Sequence, residues 1–185
     1  IRTQHLIYAF TSKRLAATSE MCQEHWHEVG HVHLILSTSL DAVVQEHLQI
    51  HGAGLEDSKL VATKDYDVFD RVVRVKVDGW KSLLAAVEAS NGELRFASCF
   101  TSVSGRFGNN GQTDYSAANS VLDAEMARLS ASGSCRAVAV AWTGWRDVGM
   151  ATRGSFQAVF DAAGIDTISV DRGVELFVDE ALRGG

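Results

Sequence analysis

No proline occurs anywhere in the 185 residues, where average usage of about 5% would supply about nine. Nothing in the sequence explains that absence. Also missing are internal repeats and any low-complexity linker. No apolar run approaches the roughly 20 residues that cross a bilayer, and no charged-then-apolar leader opens the chain. The expectation is a cytoplasmic protein with no membrane partner. Cysteine is scarce: Cys22, Cys99 and Cys135 are odd in number and have no paired spacing. That excludes a disulfide framework and reads as reduced thiols, two of them inside apolar runs. A basic run is lacking too, and the formal net charge of -6 argues against a nucleic-acid surface. The chain opens on Ile1 rather than Met, which suits a fragment or an excised domain. Glycine is absent before Gly30.

What is present describes one ordinary domain, with 46% hydrophobic and 22% charged residues. From about residue 46 the chain alternates strand-like and helix-like segments. Leu48 to His51 reads as a short strand ending in Gly52-Ala53-Gly54. Residues 64–76 place Tyr66, Phe69, Val72, Val73 and Lys76 at helical spacing, and a second helical stretch runs from Asp78 to Ala89. Leu94 to Thr101 and Cys135 to Trp142 read as buried strands. Between them, Tyr115 to Ala131 forms a helix with Ala118, Val121, Leu122, Met126 and Leu129 as its apolar stripe. This order predicts parallel crossovers and an α/β fold, a Rossmann-like doubly wound parallel sheet, here partial. The first 45 residues are less regular. His5 to Phe10 and His33 to Leu36 have strand character, and Leu40 to Leu48 is a short helix at best.

The densest chemical signal runs from Thr101 to Asn119. A buried strand ends at Ser102, a loop with three glycines follows, and a helix opens at Tyr115. Ligands of open α/β sheets bind at the carboxyl ends of the strands, where Ser102 and Tyr115 would both project. Tyr115 and Asn119 are four apart and share a helix face. Glycines in the loop would let backbone approach a ligand. Taken singly, each residue has a plain reading: Ser102 as a loop cap, Tyr115 as packing, Lys76 as a solvated lysine. Asn119 in mid-helix asks for a reason.

Together these residues resemble the ketoreductase domains of polyketide and polyunsaturated-fatty-acid synthases, within the short-chain dehydrogenases. In that family a serine lies thirteen residues before a Tyr-x-x-x-Asn, here Ser102, Tyr115 and Asn119. Its lysine comes from an earlier helix, for which Val75-Lys76-Val77-Asp78-Gly79-Trp80 is the match. Ile50-His51-Gly52-Ala53-Gly54 is similar to the motif whose backbone borders the cofactor. Gly149 to Ser155 and Ala162 to Asp166 resemble its lid and following helix, and Trp142-Thr143-Gly144-Trp145 stands where the family has a Pro-Gly turn at the nicotinamide. An aromatic plug at a strand end is the plain alternative for that last segment.

The resemblance implies an NADPH-dependent enzyme that reduces a β-ketoacyl thioester on acyl carrier protein, beside neighbouring synthase domains. Catalytic residues would be Tyr115, Ser102, Lys76 and Asn119; cofactor-binding residues would be Gly52, Ala53, Gly54, Tyr115, Lys76, Thr143 and Gly144. A free phenol titrates near pH 10, and an ammonium at Lys76 is expected to bring it down. Ser102 would orient the carbonyl oxygen, and Asn119 would position Lys76 or a water. Leu55-Glu56-Asp57, with Phe107 eight before the tyrosine, leans toward a D-3-hydroxyacyl product. The division expected is a divergent or truncated N-terminal part over 1–45 and a catalytic region over 46–185, because no glycine-rich phosphate turn precedes Gly52. Two alternatives remain. His27-Glu28-Val29-Gly30-His31 matches the His-Glu-x-x-His zinc-peptidase signature, and the chain could be a non-catalytic structural half-domain.

Overall fold

The computed structural model describes residues 33–36, 46–89, 91, 93–146, 148, 160–161 and 164–183. Among the described residues, four strands form one sheet in the order β1-β2-β3-β4. They are β1 (His33–Leu36), β2 (Glu46–His51), β3 (Glu93–Ser102) and β4 (Arg136–Trp142). The helices are α1 (Tyr66–Ala89), α2 (Val103–Phe107), α3 (Thr113–Ser132) and α4 (Val170–Arg183). β2, β3 and β4 pair in parallel, with α1 and then α2–α3 as the crossovers. This is the α/β, Rossmann-like sheet that the alternation implies.

Where expectation and structure part, the reasons are local. β1 pairs antiparallel with β2: only residues 37–45 join them, and a parallel crossover needs a dozen or more. Residues 46–51 are strand, so the helix expected over Leu40–Leu48 does not extend to its end. The two helical stretches expected over 64–76 and 78–89 are one helix. Gly79 costs a helix only about 1 kcal/mol, and the buried Val72, Lys76, Trp80 and Val87 continue one face straight past it. Val121 is exposed and leaves the apolar stripe of α3, which Ala118, Leu122, Met126 and Leu129 carry. His5–Phe10, the His27–His31 signature, Cys22 and Gly149–Ser155 lie outside the described residues.

β3 separates two cores. Ala97 and Cys99 face α1 and α3, packing with Trp80, Leu122, Met126 and Leu129. Phe96 and Phe100, at alternate positions, face the other way toward Ile50, Trp142 and the α4 residues Val174 and Phe177. Cys99 and Cys135 are free thiols; burial pushes both above the ordinary range, Cys99 far above it. The carboxyl ends of all three parallel strands therefore open on one edge of a sheet covered on both faces.

Candidate active site

Ser102 closes β3 opposite Trp142 of β4. Its backbone is extended (φ -140°, ψ 147°), and its Oγ caps α2 by accepting from Ser104 N. Ser104 Oγ donates to the same atom at 3.0 Å. Capping and site membership coexist, because a hydroxyl has two acceptor lone pairs and one proton to give. Tyr115 lies in the first turn of α3, where the Asn119 and Ser102 side chains act to lower its pKa.

Lys76 reaches the same place from α1. Its side chain is only 2% exposed, its Nζ donates to Phe100 O at 2.9 Å, and it stands 5.6 Å from the centroid of the Tyr115 ring. His51, at the end of β2, holds that turn of α1 through a 2.8 Å bond between Nε2 and Lys76 O. A Cβ on Gly79 would lie 2.9 Å from the same imidazole, so the glycine allows strand and helix to approach. Asn119 is fully buried and donates to Tyr115 O at 2.7 Å. It therefore bonds back to its own helix rather than to Lys76. α2 packs closely over this turn: a Cβ on Gly105 would meet Asn119 Cβ at 2.8 Å.

Electrostatics are set by burial. Desolvation lowers Lys76 to about 8, while Cys99 and Asp123 act to raise it. For Tyr115 the expected direction is reversed. Burial pushes the phenol above its ordinary value, outweighing the Asn119 and Ser102 side chains, which act to lower it. The Lys76 ammonium faces the ring, and the phenol keeps its proton at neutral pH. A proton donor needs that state.

The remaining expected cofactor residues divide. Gly52, Ala53 and Gly54 follow β2 at the open edge, with Gly52 exposed and Ala53 buried. Thr143 and Gly144 follow β4, but Gly144 O accepts from Ile168 N at 2.9 Å and Thr143 Oγ1 points to Asp166 O at 3.5 Å. Beside them Trp142 and Trp145 stack edge to face with centroids 4.9 Å apart, and Trp142 meets Phe100 at 5.6 Å. Trp142, Trp145 and Phe100 thus cluster at that end of β4, and its turn bonds to the chain before α4.

The chain matches the profile of the KR domain over residues 16–147. It belongs to the ketoreductase domain family. It is 32% identical over 139 residues to 6-methylsalicylic acid synthase of Penicillium expansum, covering 74% of this chain and 8% of that protein. It is 41% identical over 108 residues to mellein synthase of Phaeosphaeria nodorum, covering 58% and 6%. A ketoreductase domain from the bacillaene assembly line shares its fold with a TM-score of 0.57 and 32% identity, over 69% of this chain and 32% of that one. An A1-type ketoreductase gives 0.66 at 25% identity, over 74% and 28%. This ketoreductase chain thus spans less than a tenth of the length of the synthases it matches.

Ketoreductases are reductases of the short-chain dehydrogenase type that use NAD(P)H. The described residues fit the ribose end of such a cofactor. Lys76 is buried yet has one hydrogen-bond acceptor among the described residues, leaving two ammonium protons for vicinal hydroxyls. Asn119 Oδ1 is likewise buried without a partner there. The sequence signal missed two polar residues at this edge, Lys64 and Asp114, which meet at 2.6 Å from positions 50 apart. Asp114 stands directly before Tyr115 and was the one visible cue.

Proposed function

We propose that residues 46–185 form the catalytic region of a ketoreductase within a cytoplasmic multifunctional synthase. It reduces a β-ketoacyl thioester on acyl carrier protein to the 3-hydroxyacyl thioester, with NADPH as reductant. The supporting observation is the convergence of Lys76, Tyr115, Ser102 and Asn119, from α1, α3 and the end of β3, on one edge of the sheet. NADPH, when bound, supplies hydride to the keto carbon. Tyr115 gives its phenolic proton to the oxygen. Ser102, at the end of β3 beside the first turn of α3, holds that oxygen in line with its hydroxyl proton. Lys76 holds the cofactor ribose with its two remaining protons and passes charge support toward the tyrosine. Gly52, Ala53 and Gly54 border the cofactor, with Thr143 and Gly144 at the far wall. The Leu55–Asp57 segment favours a D-hydroxyl product.

NADPH oxidation followed at 340 nm with a small β-keto thioester tests this. Tyr115→Phe should lose about 10²- to 10⁴-fold in kcat, the usual worth of a positioned acid. Equal rates would remove Tyr115 from the chemistry. A wild-type chain that neither binds NADPH nor turns over would leave a structural half-domain.

A further inference from the structure

Residues 55–64, between β2 and α1, lie across the loop that precedes α3. Lys59 N donates to Gly111 O at 3.0 Å, and Gln112 Nε2 donates to Glu56 Oε1 at 3.1 Å and Ser58 Oγ at 3.3 Å. Gly111 has φ +78°, and a Cβ there would stand 3.3 Å from Lys59 N. At the centre is Lys64. An ammonium has three donors, and Lys64 uses all of them: Asp57 O at 2.7 Å, Gly111 O at 3.3 Å and Asp114 Oδ1 at 2.6 Å. The Lys64 and Asp114 side chains are each 1% exposed.

Such a pair is a poor device for stability alone. Removing two charges from water offsets most of their attraction, and apolar replacements of similar volume are often as stable or more so. What a fully bonded ammonium adds is direction, since its three acceptors sit on three segments. Asp114 occupies the first turn of α3, where the helix end favours a carboxylate. Tyr115 follows it directly, and Asn119 clasps the Tyr115 carbonyl. Any shift of that first turn carries the phenol with it.

We propose that Lys64 and Asp114 are positioning residues of the ketoreductase site, locking the first turn of α3 onto the loop after β2 and so setting the Tyr115 phenol against Ser102 and Lys76. This rests on the reading of Tyr115 as proton donor. Near 1 Å of misplacement is worth about 10²-fold in rate.

The test uses the full chain and the variants Lys64→Met and Lys64→Met/Asp114→Leu. The single variant strands a buried carboxylate and should lower both the urea midpoint and kcat. The double variant removes both charges. It should regain the wild-type midpoint while kcat stays about tenfold or more below wild type and KM moves less than about threefold. Recovery of midpoint and kcat together would overturn the proposal and leave the pair structural. Fluorine NMR of 3-fluorotyrosine-labelled protein adds a readout independent of turnover. The chain has three tyrosines, assignable by Tyr→Phe variants, and the Tyr115 resonance should move in the double variant. An unmoved resonance sinks the positioning role. Asp114→Asn is read in the same two ways if the double variant does not fold. A wild type without reductase activity would end the functional reading, and the fluorine resonance would still decide this one.

Discussion

Lys76 is the residue whose chemistry and whose cost are easiest to separate. Its ammonium is buried and lowered to about 8 from an ordinary 10.5. Between those values the unfolded chain holds a proton that the folded chain has released, so stability contributed by Lys76 rises with pH across that window. Below pH 8 the buried charge costs on the order of 3 kcal/mol. Cys99 acts in the opposite direction: its thiol is pushed up by burial, so the unfolded chain loses that proton first above about pH 9. Tyr115, also raised, does the same only above about pH 10. The comparison that isolates Lys76 is therefore wild type against Lys76→Met in urea unfolding from pH 7 to 10. Wild type should gain on the variant as pH rises, and parallel curves would refute a buried ammonium. The resemblance to the ketoreductase motifs singled out Tyr115, Ser102, Lys76 and Asn119 in the sequence, whereas the direction in which the phenol shifts depends on how completely each group is desolvated.

Among the elements, α1 teaches the most. Its sequence contains a glycine flanked by Asp78 and Trp80, which reads as an interruption, yet α1 runs unbroken for 24 residues. The glycine serves the contact with His51, not a break. Gly79→Ala should therefore fail to give the roughly 1 kcal/mol that an exposed helical glycine would yield. Its methyl would press on an imidazole that is fully buried and tied to Lys76 O, so destabilisation of about 1–3 kcal/mol is expected. A rise in the urea midpoint would show that His51 can yield. The same logic governs α2, where Gly105 meets Asn119. Helix periodicity was readable because 3.6-residue spacing is local. Which glycine faces another element was not, because that depends on the partner.

For the whole molecule, the two faces of the sheet differ in role: α1 and α3 carry Lys76 and Tyr115, while α4 covers the opposite face. Phe177 of α4 is buried and meets Phe100 edge-on at 5.2 Å, and Phe100 supplies the carbonyl that holds Lys76. Phe177→Ala should cost about 3–5 kcal/mol in urea unfolding. A loss under about 1 kcal/mol would mean that α4 is not part of the core. Alternating strand and helix patterns determined on their own a parallel α/β sheet, and the segments around Lys76, Ser102, Tyr115 and Asn119 carried the resemblance to ketoreductase domains. Short-range periodicity and motif spacing survive in one dimension. The tertiary structure alone decided that β1 runs antiparallel, that Trp142 stacks on Trp145 at the end of β4 and that Lys64 meets Asp114. Each of those depends on the path of a loop and on water being excluded between residues far apart in sequence.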